Sequence, residues 1–195
     1  MNHSSTYQGL TMVLLAGGQS TRMGTDKGFL ILNHSSFSNQ LVQLGNIISN
    51  QVFVSVGSHN RELYKELDVV TVLDVKPEKG PMGGIISVLP LIKTKWFMVV
   101  SVDTPLVTKE IISELWGNKT GFEAVVFESK NRIHPLVGLY QTNSKAVWQK
   151  AFTENKLKVT TLVESLNVNK VAATKKTIEQ LKNINTPKEY EELIK

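Results

Sequence analysis

Three short segments hold the residues with chemistry to offer. Leu15-Ala16-Gly17-Gly18 leads into Arg22, Asp26 and Lys27, Asp74 opens a stretch ending Gly80-Pro81-Met82-Gly83-Gly84, and Val102-Asp103-Thr104-Pro105 follows an apolar run. Glycines directly after a strand let backbone N–H groups approach an anion or a flat base with no Cβ in the way. Arg22 and Lys27 add positive charge to the same loop, so phosphate binding is expected there. The loop lacks the Gly-Lys-Ser/Thr ending of a Walker-type phosphate loop and the G-x-G-x-x-G spacing of a dinucleotide fingerprint. Asp74 suits a base or ribose contact, or a cap for its own turn. Gly80, Gly83 and Gly84 fall at the start of a helix, where the dipole and free N–H groups favour an anion. Asp103 facing a polyphosphate would be repelled unless a cation lay between them. Mg²⁺ is typically held by one or two carboxylates plus phosphates and water, which makes Asp103 the expected Mg²⁺ ligand.

These segments need strands to carry them. Leu10–Ala16, Val52–Val56, Val69–Leu73 and Trp96–Val102 read as strands, the first and last being almost wholly apolar. Leu41, Leu44 and Ile48 recur at helical spacing after Phe37, and Gly83–Lys93 is apolar at helical intervals, with Pro90 expected to kink or end that helix. Arg61–Leu67 reads as a short helix. In the second half, Ala124–Phe127 and Leu136–Tyr140 are expected strands joined by the turn Glu128–Arg132. Ser144–Phe152 and Thr160–Leu166 are expected helices, and Val168–Ala172 is a late strand. Thr186-Pro187-Lys188-Glu189 is a capping box with proline at the first helical position, so a last helix starts there. Strands alternating with helices predict a three-layer α/β/α sandwich, Rossmann-like, around a largely parallel sheet. Ligands bind such sheets beyond the carboxyl ends of the strands, so the three segments should converge there.

Composition narrows the classes further. At 195 residues a single domain over residues 1–195 is expected, with residues 1–9 as a flexible extension. Without cysteine there are no disulfides, thiolate metal sites or thiol nucleophiles. The net charge of +5 suits anionic partners, but only three of the 22 basic residues are arginine and the lysines are scattered. That pattern fits a solvated surface and small phosphorylated ligands, not nucleic acid. No apolar run reaches the length of a membrane span and residues 1–9 lack signal-peptide character, so a cytoplasmic setting is expected.

Taken together and in order, five pieces resemble the molybdenum cofactor guanylyltransferases. They are the Leu15–Lys27 loop, Gly80-Pro81 with Gly84, Asp103-Thr104-Pro105, His134-Pro135, and Asn183-Ile184-Asn185-Thr186-Pro187. The resemblance runs from about Leu10 to the C-terminus. It implies Mg²⁺-dependent transfer of GMP from GTP to molybdopterin carrying molybdenum, with pyrophosphate released. By position it assigns Leu15, Ala16, Gly17, Gly18, Lys27, Asp74 and Asp103 to the nucleotide, with Lys27 and Asp103 catalytic and Asp103 on the metal. It assigns Arg22, Gly80, Gly84, Lys158, Asn183 and Asn185 to the pterin. It also implies transient contacts with molybdenum-insertion proteins or molybdoenzymes, and neither nucleic acid nor membrane as a partner. Two positions depart from the family's pattern. Ser55 stands where some members have asparagine, and Lys158 stands where arginine occurs, without its bidentate fork.

Three other readings share parts of this pattern. A sugar-phosphate or other small-molecule nucleotidylyltransferase would use the same loop and metal. The cytidylyl enzyme of the same pathway is similar, but it favours alanine in the Gly-Gly pair and a different residue after the metal aspartate, so Gly17-Gly18 and Thr104 lean towards guanine. A nucleotide-binding regulatory module would not need both Lys27 and Asp103.

Overall fold

In the computed structural model, which describes residues 7–18, 23–74 and 76–195, the first strand is β1 (Leu10–Leu15), buried at every position. A hairpin of β2 (Ile31–Leu32) and β3 (Ser35–Ser36) follows, then α1 (Phe37–Ile48), β4 (Gln51–Val56), β5 (Val70–Leu73), α2 (Pro81–Val88) and β6 (Trp96–Ser101). The second half holds α3 (Lys109–Gly117), β7 (Ala124–Ser129), β8 (Arg132–Gln141), α4 (Lys145–Thr153), α5 (Val159–Glu164), β9 (Val168–Ala172), α6 (Lys175–Gln180) and α7 (Pro187–Leu193).

Seven strands form one sheet in the order β5-β4-β1-β6-β8-β7-β9. The pairs β1–β4, β1–β6, β4–β5 and β7–β9 are parallel, and β8 runs antiparallel to both its neighbours. The sheet is therefore largely parallel, as the alternation of elements predicts. After β1 the chain builds outward through β4 and β5, then returns to place β6 on the other side of β1. Loops leaving β1 and β6 consequently diverge, and a crevice opens between them.

Both faces of the sheet are covered. Leu10, Met12, Leu14, Val54, Met98 and Val100 pack with Leu41 and Ile48 of α1 and Ile111, Ile112 and Leu115 of α3. The alternate residues Val13, Leu15, Phe53, Phe97 and Val99 pack on the opposite face with Met82, Ile85 and Val88 of α2, Trp148 of α4 and Leu162 of α5. Strand alternation thus splits one apolar run between two cores, which is why β1 and β6 read as almost wholly apolar.

Several local expectations need correction. The expected short helix at Arg61–Leu67 is a 3-10 turn over Leu63–Glu66. The expected turn Glu128–Arg132 is shorter, because β7 continues to Ser129 and β8 starts at Arg132. Lys130 and Asn131 alone turn the chain, with φ of 48° and 60°, as a two-residue hairpin requires. The β2–β3 hairpin and α6 have no counterpart in the sequence reading. The flexible extension expected over residues 1–9 does not reach residue 9. The Tyr7 side chain is buried and stacks on Trp116, its N–H donates to Ile48 O, and Gly9 N–H donates to Asn50 Oδ1. Residues 1–6 lie outside the described residues.

At Gly45, α1 lies hard against the sheet, and a Cβ there would sit 2.7 Å from Val52 Cγ2 and 2.8 Å from Met12 Sδ. Gly45→Val is expected to destabilise the fold by about 1–3 kcal/mol through overpacking, read from a denaturant midpoint shift.

Candidate active site

Register brings the three segments together. Leu15 is paired with Ser55 on one side and Ser101 on the other, so β1, β4 and β6 end level. Just beyond these ends Gly17, Asp74 and Asp103 surround a cavity of about 710 Å³, which Leu15, Gly18, Ser55, Ser58, His59, Glu78, Gly80, Pro81, Gly84 and Ser101 also line in part. A Cβ on Gly17 would lie 3.3 Å from Gly57 N, and one on Gly84 would lie 2.8 Å from Ser55 Oγ. Small residues keep two walls of this crevice close to the strand ends.

A second cavity of about 390 Å³ adjoins it, lined by Thr104, His134, Pro135, Lys158, Thr160, Asn183 and others. Pro81 and Leu136 line both cavities. The shared wall comes from an irregular stretch of β8, where the pairing with β7 shifts between Val126/Gly138 and Glu128/Ile133. Tyr140 Oη donates to Pro135 O at 2.6 Å and His134 Nε2 lies 2.7 Å from Ser129 Oγ, which hold the irregular stretch. Bulges commonly re-aim residues beside a site in this way. Burial lowers the pKa of His134, so its imidazole is neutral near pH 7.

Asp103 stands at the junction of the cavities. Its Oδ1 is buried without a hydrogen-bond partner, while Oδ2 accepts from Asn183 Nδ2 at 3.2 Å. Burial raises its pKa above the ordinary aspartate range, with Ser101 and Lys27 acting in the opposite direction. An orphaned carboxylate oxygen is an unfavourable thing to bury, and a cation at that oxygen would satisfy it. Asp103 therefore fits a divalent ion held by one carboxylate together with ligand phosphates. Among the described residues no cluster of three or more His, Asp or Glu side chains forms an all-protein cage. Thr108, not Asp103, is the residue preceding α3, so a helix-capping role for Asp103 is ruled out.

Asp74 is buried, its Oδ1 accepts from Lys76 N at 2.8 Å, and burial raises its pKa, assisted by Glu78. Lys27 Nζ donates to Asn185 Oδ1 at 2.5 Å. The Asn183–Asn185 segment crosses behind both groups, with Ile184 N–H donating to Asp103 O. Glu189 Oε2 then accepts from Asn185 N, Thr186 N and Thr186 Oγ1, completing the capping box predicted from the sequence.

Leu15, Gly17, Gly18, Asp74 and Asp103 thus share one cavity, and Ala16 adjoins it with its N–H bonded to Ser55 O. Gly80 and Gly84 lie in this same cavity and not with Lys158 and Asn183 in the second. Asn185 reaches Lys27 and lines neither cavity. Arg22 lies outside the described residues, as do Gln19–Thr21 and Val75. Sequence reasoning missed Ser58, His59, Glu78 and Leu136, which lie on loops or irregular strand with no periodic signal.

A twisted sheet with glycine-lined strand ends, a buried carboxylate suited to a divalent cation and two adjoining cavities defines a nucleotidyltransferase-type α/β protein. Residues 12–168 match the MobA-like NTP transferase domain, and the chain belongs to that family and, within it, to the molybdenum cofactor guanylyltransferases. It is 31% identical over 194 residues to a probable molybdenum cofactor guanylyltransferase of Carboxydothermus hydrogenoformans, covering 96% of each chain. A probable molybdenum cofactor guanylyltransferase of Clostridium perfringens is 30% identical over 190 residues, covering 93% of this chain and 94% of the relative. The crystal structure of molybdopterin-guanine dinucleotide biosynthesis protein A from Archaeoglobus fulgidus shares the fold, with a TM-score of 0.77, 20% identity, and coverage of 94% and 96%. No helix among the described residues is long and apolar enough to cross a membrane.

Because folding raises the Asp103 pKa, its ionisation opposes folding once the pH passes the unfolded value of 3.8. Asp103→Asn removes that cost while keeping an acceptor for Asn183. Its melting temperature is expected to exceed wild type at neutral pH, with the gain shrinking as the pH falls through the raised Asp103 pKa towards 3.8 and gone below it. Thermal scans across pH check this, and a neutral-pH melting temperature at or below wild type contradicts the burial cost.

Proposed function

We propose that this chain transfers GMP from GTP to molybdopterin carrying molybdenum, in the cytoplasm and with Mg²⁺, giving the guanine dinucleotide and pyrophosphate. The observation that carries the reading is the pair of adjoining cavities meeting at Asp103-Thr104, one lined by Asp103 and the other by Thr104. A transfer reaction needs donor and acceptor side by side, with the reacting phosphorus at their junction. GTP belongs in the larger cavity, its base towards Leu15, Ser55 and Asp74. Guanine presents adjacent N–H donors, and the buried Asp74 carboxylate is an acceptor matched to them. The pterin with its phosphate tail belongs in the smaller cavity with Lys158 and Asn183.

The terminal phosphate of the acceptor attacks the α-phosphorus in line. One P–O bond forms as the bond from the α-phosphorus to the bridging oxygen breaks, and its electron pair leaves with pyrophosphate. A phosphate monoester is already an anionic nucleophile, so no strong general base is needed. Mg²⁺, when bound at Asp103, supplies charge neutralisation for the phosphates. Lys27 offsets charge growing on the departing pyrophosphate, together with the backbone N–H groups of Gly17 and Gly18. Asn183 orients the Asp103 carboxylate so that Oδ1 remains available.

Incubation with molybdopterin, Mg²⁺ and each of the four nucleoside triphosphates, followed by mass analysis, tests the reaction. GTP is expected to be preferred over CTP and ATP by at least roughly tenfold, about 1.4 kcal/mol of differential binding. Equal use of CTP would place the chain with cytidylyl transfer. In the same assay Lys27→Ala is expected to lower GTP affinity and turnover together, because a cation on the phosphates acts in both ground and transition states. Unchanged values would leave Lys27 as a structural lysine.

A further inference from the structure

We propose that Asn60 and Tyr64 are positioning residues for Lys27, acting through the carboxylate of Asp26. The inference rests on the reading that Lys27 meets the triphosphate.

Lys27 begins a single 3-10 turn, Lys27–Phe29, preceded by Asp26. Asp26 Oδ1 accepts from Gly28 N at 2.8 Å and Asp26 O accepts from Phe29 N at 3.1 Å. The backbone of Lys27 is thus enclosed by two bonds that both end on Asp26. A lysine on a short, irregular turn has no helix or strand to place it, so its backbone rests on how firmly Asp26 is held, while Asn185 receives its Nζ at the other end.

Asp26 is held from the segment that follows β4. Asn60 Nδ2 donates to Asp26 Oδ2 at 2.6 Å and to Ala16 O at 2.8 Å, and Asn60 Oδ1 accepts from Gly57 N at 2.9 Å. Both amide protons and the carbonyl oxygen of this almost wholly buried side chain are therefore engaged. They tie together the end of β1, the end of β4 and the lysine turn. Tyr64, fully buried, donates its hydroxyl to Asp26 Oδ1 at 3.2 Å and accepts from Ser38 Oγ at 3.1 Å. Burial and the Asp26 carboxylate raise the Tyr64 pKa, so the phenol remains a donor. Gly28 completes the arrangement, since a Cβ there would collide with the Tyr64 and Ser38 hydroxyls.

A buried network that served stability alone would act independently of Lys27, and a double-mutant cycle separates the two roles. GTP affinity and GMP transfer are measured for wild type, Asn60→Ala, Tyr64→Phe, Lys27→Ala and the two combinations with Lys27→Ala. Tyr64→Phe removes one hydroxyl and keeps the ring, so it remains informative if Asn60→Ala fails to fold. On the wild-type background Asn60→Ala is expected to lower kcat/KM roughly tenfold or more, and Tyr64→Phe about threefold to tenfold. On Lys27→Ala each further loss should shrink below about twofold to threefold, the signature of action through the lysine. Losses that multiply in full on Lys27→Ala overturn the proposal, as do single variants with wild-type values. Lys27→Ala with wild-type GTP affinity and transfer overturns the lysine's role in the reaction itself, and this proposal with it.

Discussion

The level ending of β1, β4 and β6 is the constraint on which the site depends. Side chains alternate along a strand, so a slip of one residue between β1 and either neighbour would exchange its two apolar faces and offset the loops at the strand ends. The pairing Leu15 with Ser55 and Ser101 prevents this, because each strand carries apolar residues matched to both layers of helices. Hydrophobic burial thereby determines where Gly17, Gly57 and Asp103 emerge. The chemistry inherits its geometry from cores that contain none of the reacting groups.

Much of this was legible because it is periodic or punctuated. The apolar runs of β1 and β6, the helical spacing of Leu41, Leu44 and Ile48, and the Thr186–Glu189 capping box each announce an element through spacing alone. The loops at strand ends then follow from topology. What stayed illegible depends on distance or on irregular backbone. Asn60 and Tyr64 sit in turns, and nothing in their spacing shows that they meet Asp26 across 34 and 38 residues. The β2–β3 hairpin has two residues per strand, too few for alternation to register. The strand expected over Leu136–Tyr140 begins earlier, at Arg132, and β8 accommodates Pro135 where pairing with β6 has already ended.

The C-terminal asparagines illustrate how one motif can serve two ends of a reaction. Their resemblance-based assignment was to the acceptor. Asn183 does line the second cavity, yet it also holds Asp103, while Asn185 holds Lys27. Glu189 fixes the backbone between them and α7 docks through Tyr190, whose hydroxyl donates to Ile31 O at 2.8 Å and whose ring meets Phe37 edge-on. One short segment thus lines the second cavity on one side and holds Asp103 and Lys27 on the other, linking the two cavities through fixed hydrogen bonds.

The collision that any side chain at Gly28 would make with Tyr64 and Ser38 has an evolutionary consequence. A methyl group at position 28 needs the space of the tyrosine hydroxyl, and removing that hydroxyl takes a donor from Asp26 and an acceptor from Ser38. A side chain cannot enter at position 28 unless the residues at 38 and 64 give it room. Descendants of this sequence are therefore expected to change positions 28, 38 and 64 in concert or to leave all three alone, so that the spacing around the lysine is inherited as a block.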